Sequence, residues 1–548
     1  MKKRRTLLVI PLVLIVIIAV IVTLVMWNAK GSLIDLIRGQ SPSAPRQLNA
    51  AISQVGGQGS PYPVTVQVNL SAPVAQVGPD YLSFAIDASQ VTGGKWWNPT
   101  AQGTESGTGT VHAPLYDFNR PQLDTLVAGL APAYLRIGGS ESDKTYYDLQ
   151  PAGSSPNPPP PGYESTLTVA EWDALNAFAQ RHGLKVVFTL NDGPSSRDSA
   201  HQWNGSNAAA LINYTVQRGY PVSVWELGNE VNNFWFVFGP QKQISTAQYH
   251  QDLTQARQLV SQADPAARLG GQGSMFWPVL GEPLSLFYGF MPKYLQQSGS
   301  LIDQVSWHYY PQQSKRGPIA TRRASPSRLL DPANLDEAGY WADKLRAWRD
   351  AYAPGKPLWL GETGNAQFGG EPGLSDVYLA DLWWLDELGL MAQKDMQVVV
   401  RQTLSGSNYG LIDDVSLAPH PDYWASLLWK RLMGSHVYAT QAVGQNASRL
   451  RVYAQADAQG GLCLLLINID PQQDAAVSLP ELKGKPYTVY AVTAPDVFGQ
   501  VVDLNGQPLA LTPDGALPAT AGLNLPASDQ PTIDLHPLSY TFITFKTP

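Results

Sequence analysis

Eight short apolar runs, each followed by a longer amphipathic stretch, constrain this chain more than any other feature. They are YLSFAID (81–87), AYLRIGG (133–139), LKVVFTLN (184–191), VSVWELGNE (222–230), ARLGGQ (267–272), QVSWHYY (304–310), LWLGET (358–363) and MQVVVRQT (396–403). Continuous apolar character, rather than alternation, is what a strand covered on both faces requires. The segments between them, such as VAEWDALNAFAQRHG and TAQYHQDLTQARQLVSQAD, read as helices. Eight such alternations predict an α/β fold, a (β/α)8 TIM barrel over residues 81–434. A doubly wound open sheet is the alternative, but no G-x-G-x-x-G follows the first strand. From about Ser435 the pattern changes to LRVYAQ, GLCLLLINID, YTVYAVTA and SYTFITFK, separated by turn-forming residues. Residues 435–548 therefore read as an antiparallel β-sandwich domain. PVTVQVNLS, within residues 63–80, is expected to complete it with an N-terminal strand.

The first 30 residues read as a basic tip and a membrane anchor. Lys2, Lys3, Arg4 and Arg5 precede 22 uncharged residues, Thr6 to Trp27. At the helical rise these span about 33 Å, enough for a bilayer core of about 30 Å. The basic flank is expected to stay cytoplasmic, which puts the rest of the chain on the far side of the membrane. A cleaved signal peptide, giving a secreted protein, is the competing reading. Residues 31–62, rich in Gly, Ser, Pro and Gln, read as a linker.

The net charge of −7 argues against a nucleic-acid partner. Cys463 is the only cysteine, which excludes a disulfide framework and a Cys-rich zinc site. No H-E-x-x-H or P-loop occurs, so neither a metal nor a cofactor is called for. The 16 Trp and 24 Tyr suit large cores or stacking surfaces for flat ligands, sugars among them.

Several strand runs end on polar side chains: Asp87, Asn191, Glu230, His308, Tyr310 and Glu362. The C-terminal strand ends form the active-site mouth of this barrel. Glycoside hydrolysis needs two carboxyl groups flanking one bond. WELGNE and LWLGET bring one glutamate each to that mouth, so Glu230 is assigned as general acid/base and Glu362 as nucleophile. The acid needs a raised pKa, from burial and from its partner's charge. Asn229 is placed to hydrogen-bond a sugar 2-hydroxyl. Glu226 lies four residues deeper on the same strand face and is expected to be ion-paired, with Arg136 or Arg401 as partner.

PAYLRIGGSESD, VWELGNEVNNF, LWLGETGNAQFGG, LSDVYLADLWWLDELGL, VVVRQTLSGSNYGLID and PDYWASLLWKRLMG, in that order, resemble glycoside hydrolase family 79, the heparanases and β-glucuronidases. The resemblance runs with gaps from about Tyr81 to the C-terminus. It implies a retaining hydrolase of β-glucuronides built as a barrel plus a β-sandwich-like domain, acting on a glucuronic acid-containing oligosaccharide or polysaccharide. It gives Glu230 the acid/base role and Glu362 the nucleophile role. By the same resemblance Tyr409, Gly369 and Gly370 contact the glucuronate, Tyr409 at its carboxylate. Asp87 binds sugar hydroxyls, Ser140 stands where the family has a small hydroxyl residue, and Tyr310 lies near the nucleophile. His308, on the face of that strand, is counted with the substrate-binding group or, alternatively, as a core histidine.

Two departures from the endo-acting animal enzyme stand out. Only a Pro-rich loop (151–165) occupies the place of its excised linker, and Glu141 replaces a basic residue of the sulfate-binding members. Against these, SKRGPIATRRASPSR (314–328) carries Lys315, Arg316, Arg322, Arg323 and Arg328, which could rim the cleft for a polyanion. Exo-β-glucuronidase is the leading expectation. An endo-acting, heparanase-like hydrolase of heparan sulfate-type polysaccharide and a catalytically silent, membrane-displayed sugar-binding protein are the alternatives.

Overall fold

All eight apolar runs form strands, and the strands run parallel: Leu82–Asp87, Tyr134–Gly138, Lys185–Leu190, Val222–Leu227, Arg268–Gly270 with Ser274–Phe276, Val305–Tyr309, Leu358–Thr363 and Met396–Arg401. The computed structural model describes residues 57, 60–97, 110–151, 158–282, 289–318 and 320–546. Strands pair in chain order, and the first also pairs with the eighth. The fifth is broken. Its first piece pairs with the fourth strand (Val224 opposite Arg268) and its second with the sixth (Ser274 opposite Trp307). Bridges from Gly270 to Gln304 and from Asn229 to Gly273 span the break. The nine segments thus curl into a TIM-like barrel. A Cβ at Gly273 would lie 1.9 Å from His308 Nε2, so glycine lets that imidazole lie against the broken strand.

A helix follows each strand on the outside of the sheet, and local chemistry sets where helices begin. Thr168 caps Val169–Arg181, and Glu171 accepts in return from the Thr168 N–H, closing a capping box. Asp331 caps Pro332–Tyr352, with proline at the first helical position. Leu379–Gln393 is apolar nearly all round and is buried between the barrel and the second sheet. Tyr540 donates to Asp381 Oδ2 (3.2 Å), and Arg451 Nε to Asp386 Oδ1 (2.6 Å).

The C-terminal region is a mostly antiparallel sheet of twelve strands. Tyr62–Asn69 sits inside it, antiparallel to His436–Gly444 and parallel to Ala475–Ser478. Its alternating burial puts Tyr62, Val64, Val66 and Val68 inward, the period-two pattern of a half-covered strand. Where a sandwich implies two separate sheets, hydrogen bonding here follows one continuous path. The sheet curls so that Val64 and Val66 share a core with Leu464, Val489 and Ile543 from its far half. His436–Gly444 escaped the sequence reading because its side chains are mostly half-exposed and give no clear alternation. The anchor (1–30) and most of the 31–62 linker lie outside the described residues. Among the described residues no helix is long and apolar enough to cross a membrane.

Val66 lies in the middle of this core and is 1 % exposed. Val66→Asp would bury an unpaired carboxylate, and we expect a loss of roughly 3–5 kcal/mol. Thermal or denaturant unfolding measures it; an unchanged midpoint would show that the strand is not part of the cooperative unit.

Candidate active site

Four of the polar strand ends, Asp87, Glu230, Tyr310 and Glu362, converge on a cleft of about 490 Å³ at the C-terminal mouth of the barrel. Glu230, Glu362, Asp87, Asn229, Tyr310 and Tyr409 all line it, and Ser140 joins them from the turn after the second strand. An oxygen of Glu230, an oxygen of Glu362 and a nitrogen of His308 lie within 4.8 Å of one another.

Each carboxyl is held differently. Glu362 Oε1 accepts from the Tyr310 hydroxyl (2.7 Å), and Oε2 from Arg136 Nη1 (2.9 Å). Arg136 also donates through Nε to Glu226 Oε2 (2.9 Å) and through Nη2 to Asn229 Oδ1 (2.8 Å). Arg136 is therefore the partner of Glu226, whereas Arg401 pairs with Asp422. Burial opposes the charge on Arg136, but Glu226 and Glu362 outweigh it and hold the guanidinium protonated. Glu230 faces no cation at comparable range. It shares a hydrogen bond with His308 Nδ1 (2.9 Å). Burial, and then the charge of Glu362, push its pKa well above the ordinary carboxyl range. Burial and the nearby Arg136 push the His308 pKa well below its usual value, so this imidazole is neutral. Glu230 itself adopts left-handed backbone geometry (φ 52°), a conformation strained for a non-glycine residue and concentrated at functional sites.

His308 is fully buried behind Glu230 and is not part of the cleft lining. Gly369 and Gly370 are not lining residues either; the wall there is Gln367 and Phe368. The Gly370 N–H is already given to the Ala366 carbonyl (3.1 Å). A Cβ at Gly369, where φ is +80°, would lie 2.4 Å from Trp97 Cβ, so this glycine admits Trp97. Asp87 does two things. Its Oδ1 caps helix Ala88–Thr92 through Ser89 N (3.0 Å) and Oγ (2.8 Å), while Oδ2 accepts from Gln402 Nε2 (3.4 Å). Asn229 offers Oδ1 to Arg136, and its N–H donates to Asp143 Oδ2 (2.8 Å), which leaves the side-chain NH2 as its donor toward the cleft. Of the basic run, Arg316 reaches the cleft and donates to the Gly370 carbonyl (2.7 Å). Arg322 pairs with Glu337 (2.7 Å), and Lys315 with Glu371 (3.1 Å).

The sequence reading did not assign Arg136 and Trp96 to the site. A lone arginine inside the apolar run AYLRIGG was the available signal for the first. Trp96, whose Nε1 is buried with no hydrogen-bond partner, borders the cleft beside Tyr409. Glu230, His308 and Glu362 are also close enough to hold a cation. The Arg136 guanidinium already supplies the positive charge at Glu362, so nothing in the donor set demands one.

Residues 64–389 match the family model of the glycosyl hydrolase family 79 N-terminal domain. Heparanase of Mus musculus is 30% identical over 536 residues, covering 88% of this chain and 93% of that protein. Baicalin-beta-D-glucuronidase of Scutellaria baicalensis is 28% identical, covering 87% of this chain and 91% of its own. Among solved structures, an alpha-L-arabinofuranosidase from Thermotoga maritima superposes with a TM-score of 0.63 at 15% identity, over 89% of this chain and 100% of that one. The last likeness is one of fold.

Burial raises the Asp87 pKa from 3.8 to about 7. A raised folded-state pKa means that the native protein holds a proton the unfolded chain has released. The contribution is complete below about pH 4 and is lost as pH climbs through about 7. Asp87→Asn keeps a good helix cap and removes the titration. Denaturant melts at pH 4.5 and 7.5 should show the wild type losing more stability across this interval than the variant; parallel losses would remove Asp87 as the cause.

Proposed function

The chain belongs to glycosyl hydrolase family 79, the heparanases and β-glucuronidases, and from that membership we propose that it is a retaining exo-β-glucuronidase. The carrying observation is the pair of glutamate oxygens within 4.8 Å at the base of a sugar-sized cleft. Retaining enzymes hold their carboxyl groups about 5–5.5 Å apart, and inverting ones about 6.5–9.5 Å, to admit a water. In the first step a Glu362 oxygen attacks the anomeric carbon, the bond to the leaving oxygen breaks, and Glu230 gives that oxygen its proton. In the second, Glu230 takes a proton from water, the water oxygen attacks the same carbon, and Glu362 is released. The two environments suit these roles. Arg136 and Tyr310 each donate to Glu362 and aim it, while burial favours the protonated form of Glu230 until the neighbouring charge is consumed by glycosylation. His308 acts as a positioning residue that holds Glu230 from behind. A catalytically silent sugar binder would have no need of this asymmetry.

The glucuronate carboxylate is assigned to Tyr409 and Arg316, with the Trp96 indole N–H as a further donor. Asp87, Ser140 and Asn229 are assigned to the sugar hydroxyls. Gly369 and Gly370 act here through Arg316, whose guanidinium their carbonyls hold. Exo action is supported by a wall. Trp97 packs edge-on against Phe368 (5.8 Å), joining the loops after the first and seventh strands beyond Tyr409. On this reading the contact closes the sugar end to a longer chain. Placement of the catalytic body outside the cytoplasm, on a membrane anchor, rests on the charge-flanked apolar segment of the sequence.

The wild type should release nitrophenol from 4-nitrophenyl β-glucuronide with the β-anomer of glucuronate formed first by proton NMR, and should leave heparan sulfate at full length. Glu362→Gln should abolish turnover, whereas Glu230→Gln should keep a first step on this activated glycoside. Depolymerised heparan sulfate would replace the exo reading with an endo one, and a first-formed α-anomer would exclude retention.

Tyr409→Phe should lower kcat/KM for a glucuronide about tenfold more than for the matching glucoside, the worth of one hydrogen bond to a charged group. Equal losses would take Tyr409 away from the carboxylate.

A further inference from the structure

The two ends of the cleft have opposite chemistry. Arg316, Tyr409, Asp87 and Trp96 gather on the loops after the first, sixth and eighth strands, where the sugar is placed. The other end is built around the acid. Asn233, Phe236 and Val237 follow Glu230 directly, and Met275 comes from the second piece of the broken fifth strand. Because Glu230 must reach the oxygen that leaves, the departing group has to sit on this side. We propose that Phe236, Val237 and Met275 form a leaving-group subsite for flat apolar aglycones, aryl and polyaryl glucuronides rather than anionic sugars. This deepens the glucuronidase reading and rests on it.

Three observations carry the inference. Phe236, Val237 and Met275 are apolar where a sugar polymer would need polar partners; Asn233 adds one neutral amide, and apart from Glu230 itself none of these lining residues is charged. The cationic residues of the cleft lie elsewhere and are engaged: Lys144 with Glu141 (2.8 Å), Lys95 with Glu164 (3.9 Å) and Arg316 with backbone carbonyls.

The surface is also preformed. Asn232 clamps Met275 through both backbone groups, Nδ2 to its carbonyl and its N–H to Oδ1, each at 3.0 Å. Trp277 packs perpendicular to Phe236 (6.1 Å, 90°), and its indole N–H meets the Met275 sulfur (2.9 Å). Gln243 ties the loop from behind, donating to the Val231 carbonyl (2.9 Å) and accepting from the Trp235 N–H (3.0 Å). Phe236 nevertheless remains half-buried rather than enclosed, with its surface bordering the cleft. A thioether beside an aromatic edge is a surface that adapts to a flat apolar partner.

The test separates apolar contact from leaving-group ability. Methyl and 2-naphthylmethyl β-glucuronide release alcohols of similar acidity, so their ratio of kcat/KM reads the subsite alone. The naphthylmethyl compound should be favoured about tenfold to a hundredfold, as expected from the added apolar area. Phe236→Ala should collapse that preference, and Phe236→Leu should restore part of it. A carboxylate added to the naphthyl ring should reduce kcat/KM. Equal hydrolysis of both glucuronides by the wild type, or a preference unaltered in both variants, overturns the subsite while leaving the glucuronidase reading intact. Hydrolysis of neither glucuronide overturns both.

Discussion

The Arg136 guanidinium is the interaction on which the site depends. It is 1 % exposed and takes one carboxylate from the fourth strand, one from the seventh and the amide of Asn229. Burying Glu226 and Glu362 without it would leave two anions in low dielectric, at a cost of several kcal/mol each. Its worth lies less in net stability, since buried ion pairs are often replaceable by apolar packing, than in geometry. One rigid fork fixes three side chains, from two strands, at set distances, and in the proposed mechanism this sets where an anomeric carbon would sit relative to Glu362.

From that anchor follows the difference between two residues of the same type. Glu362 has a hydroxyl and a guanidinium. Glu230 has an uncharged imidazole and the field of its partner. Both lie at the same mouth, with exposures of 7 % and 6 %, so depth alone cannot separate them. Hydrogen-bond partners do. The broken fifth strand contributes indirectly, because Gly273 admits His308 and His308 holds Glu230. Irregular backbone at the barrel mouth thus serves to place the proposed proton donor.

The barrel strands were legible because strands covered on both faces read as continuous apolar runs, and the two glutamates because each ends such a run. Asp87 was legible as a polar strand end, but not how its oxygens divide: one caps the next helix, and the other accepts from Gln402. Tertiary contacts were not legible. Arg136 meets Glu362 across 226 residues. Nothing local in the sequence links Trp97 to Phe368, or Met275 to Asn232. His308 carried a polar-end signal but points behind the acid, since its position along the strand is visible in sequence and its depth is not. In the second sheet, edge and half-exposed strands such as His436–Gly444 lack the alternation that revealed Tyr62–Asn69.

An acidic protein that binds an acidic sugar poses an electrostatic question that net charge cannot answer. Four carboxyl groups, Asp87, Glu141, Glu230 and Glu362, line one cleft. Fully ionised and unpaired, they would repel a glucuronate. Burial raises the pKa of Asp87 and Glu230 and so favours their neutral forms. Lys144 offsets Glu141, and Arg136 offsets Glu362. Because Arg136 is shared with Glu226, its one charge offsets the two carboxylates only in part, so negative charge in the cleft is reduced rather than cancelled; in the proposed reading Arg316 meets the carboxylate at the sugar end. The local field a substrate meets is set by these pairings within a few ångströms, while the remaining acidic surface is screened beyond about 10 Å. The same logic bears on the proposed leaving-group end: if the sugar's charge is met at one end, nothing at the other has to carry any.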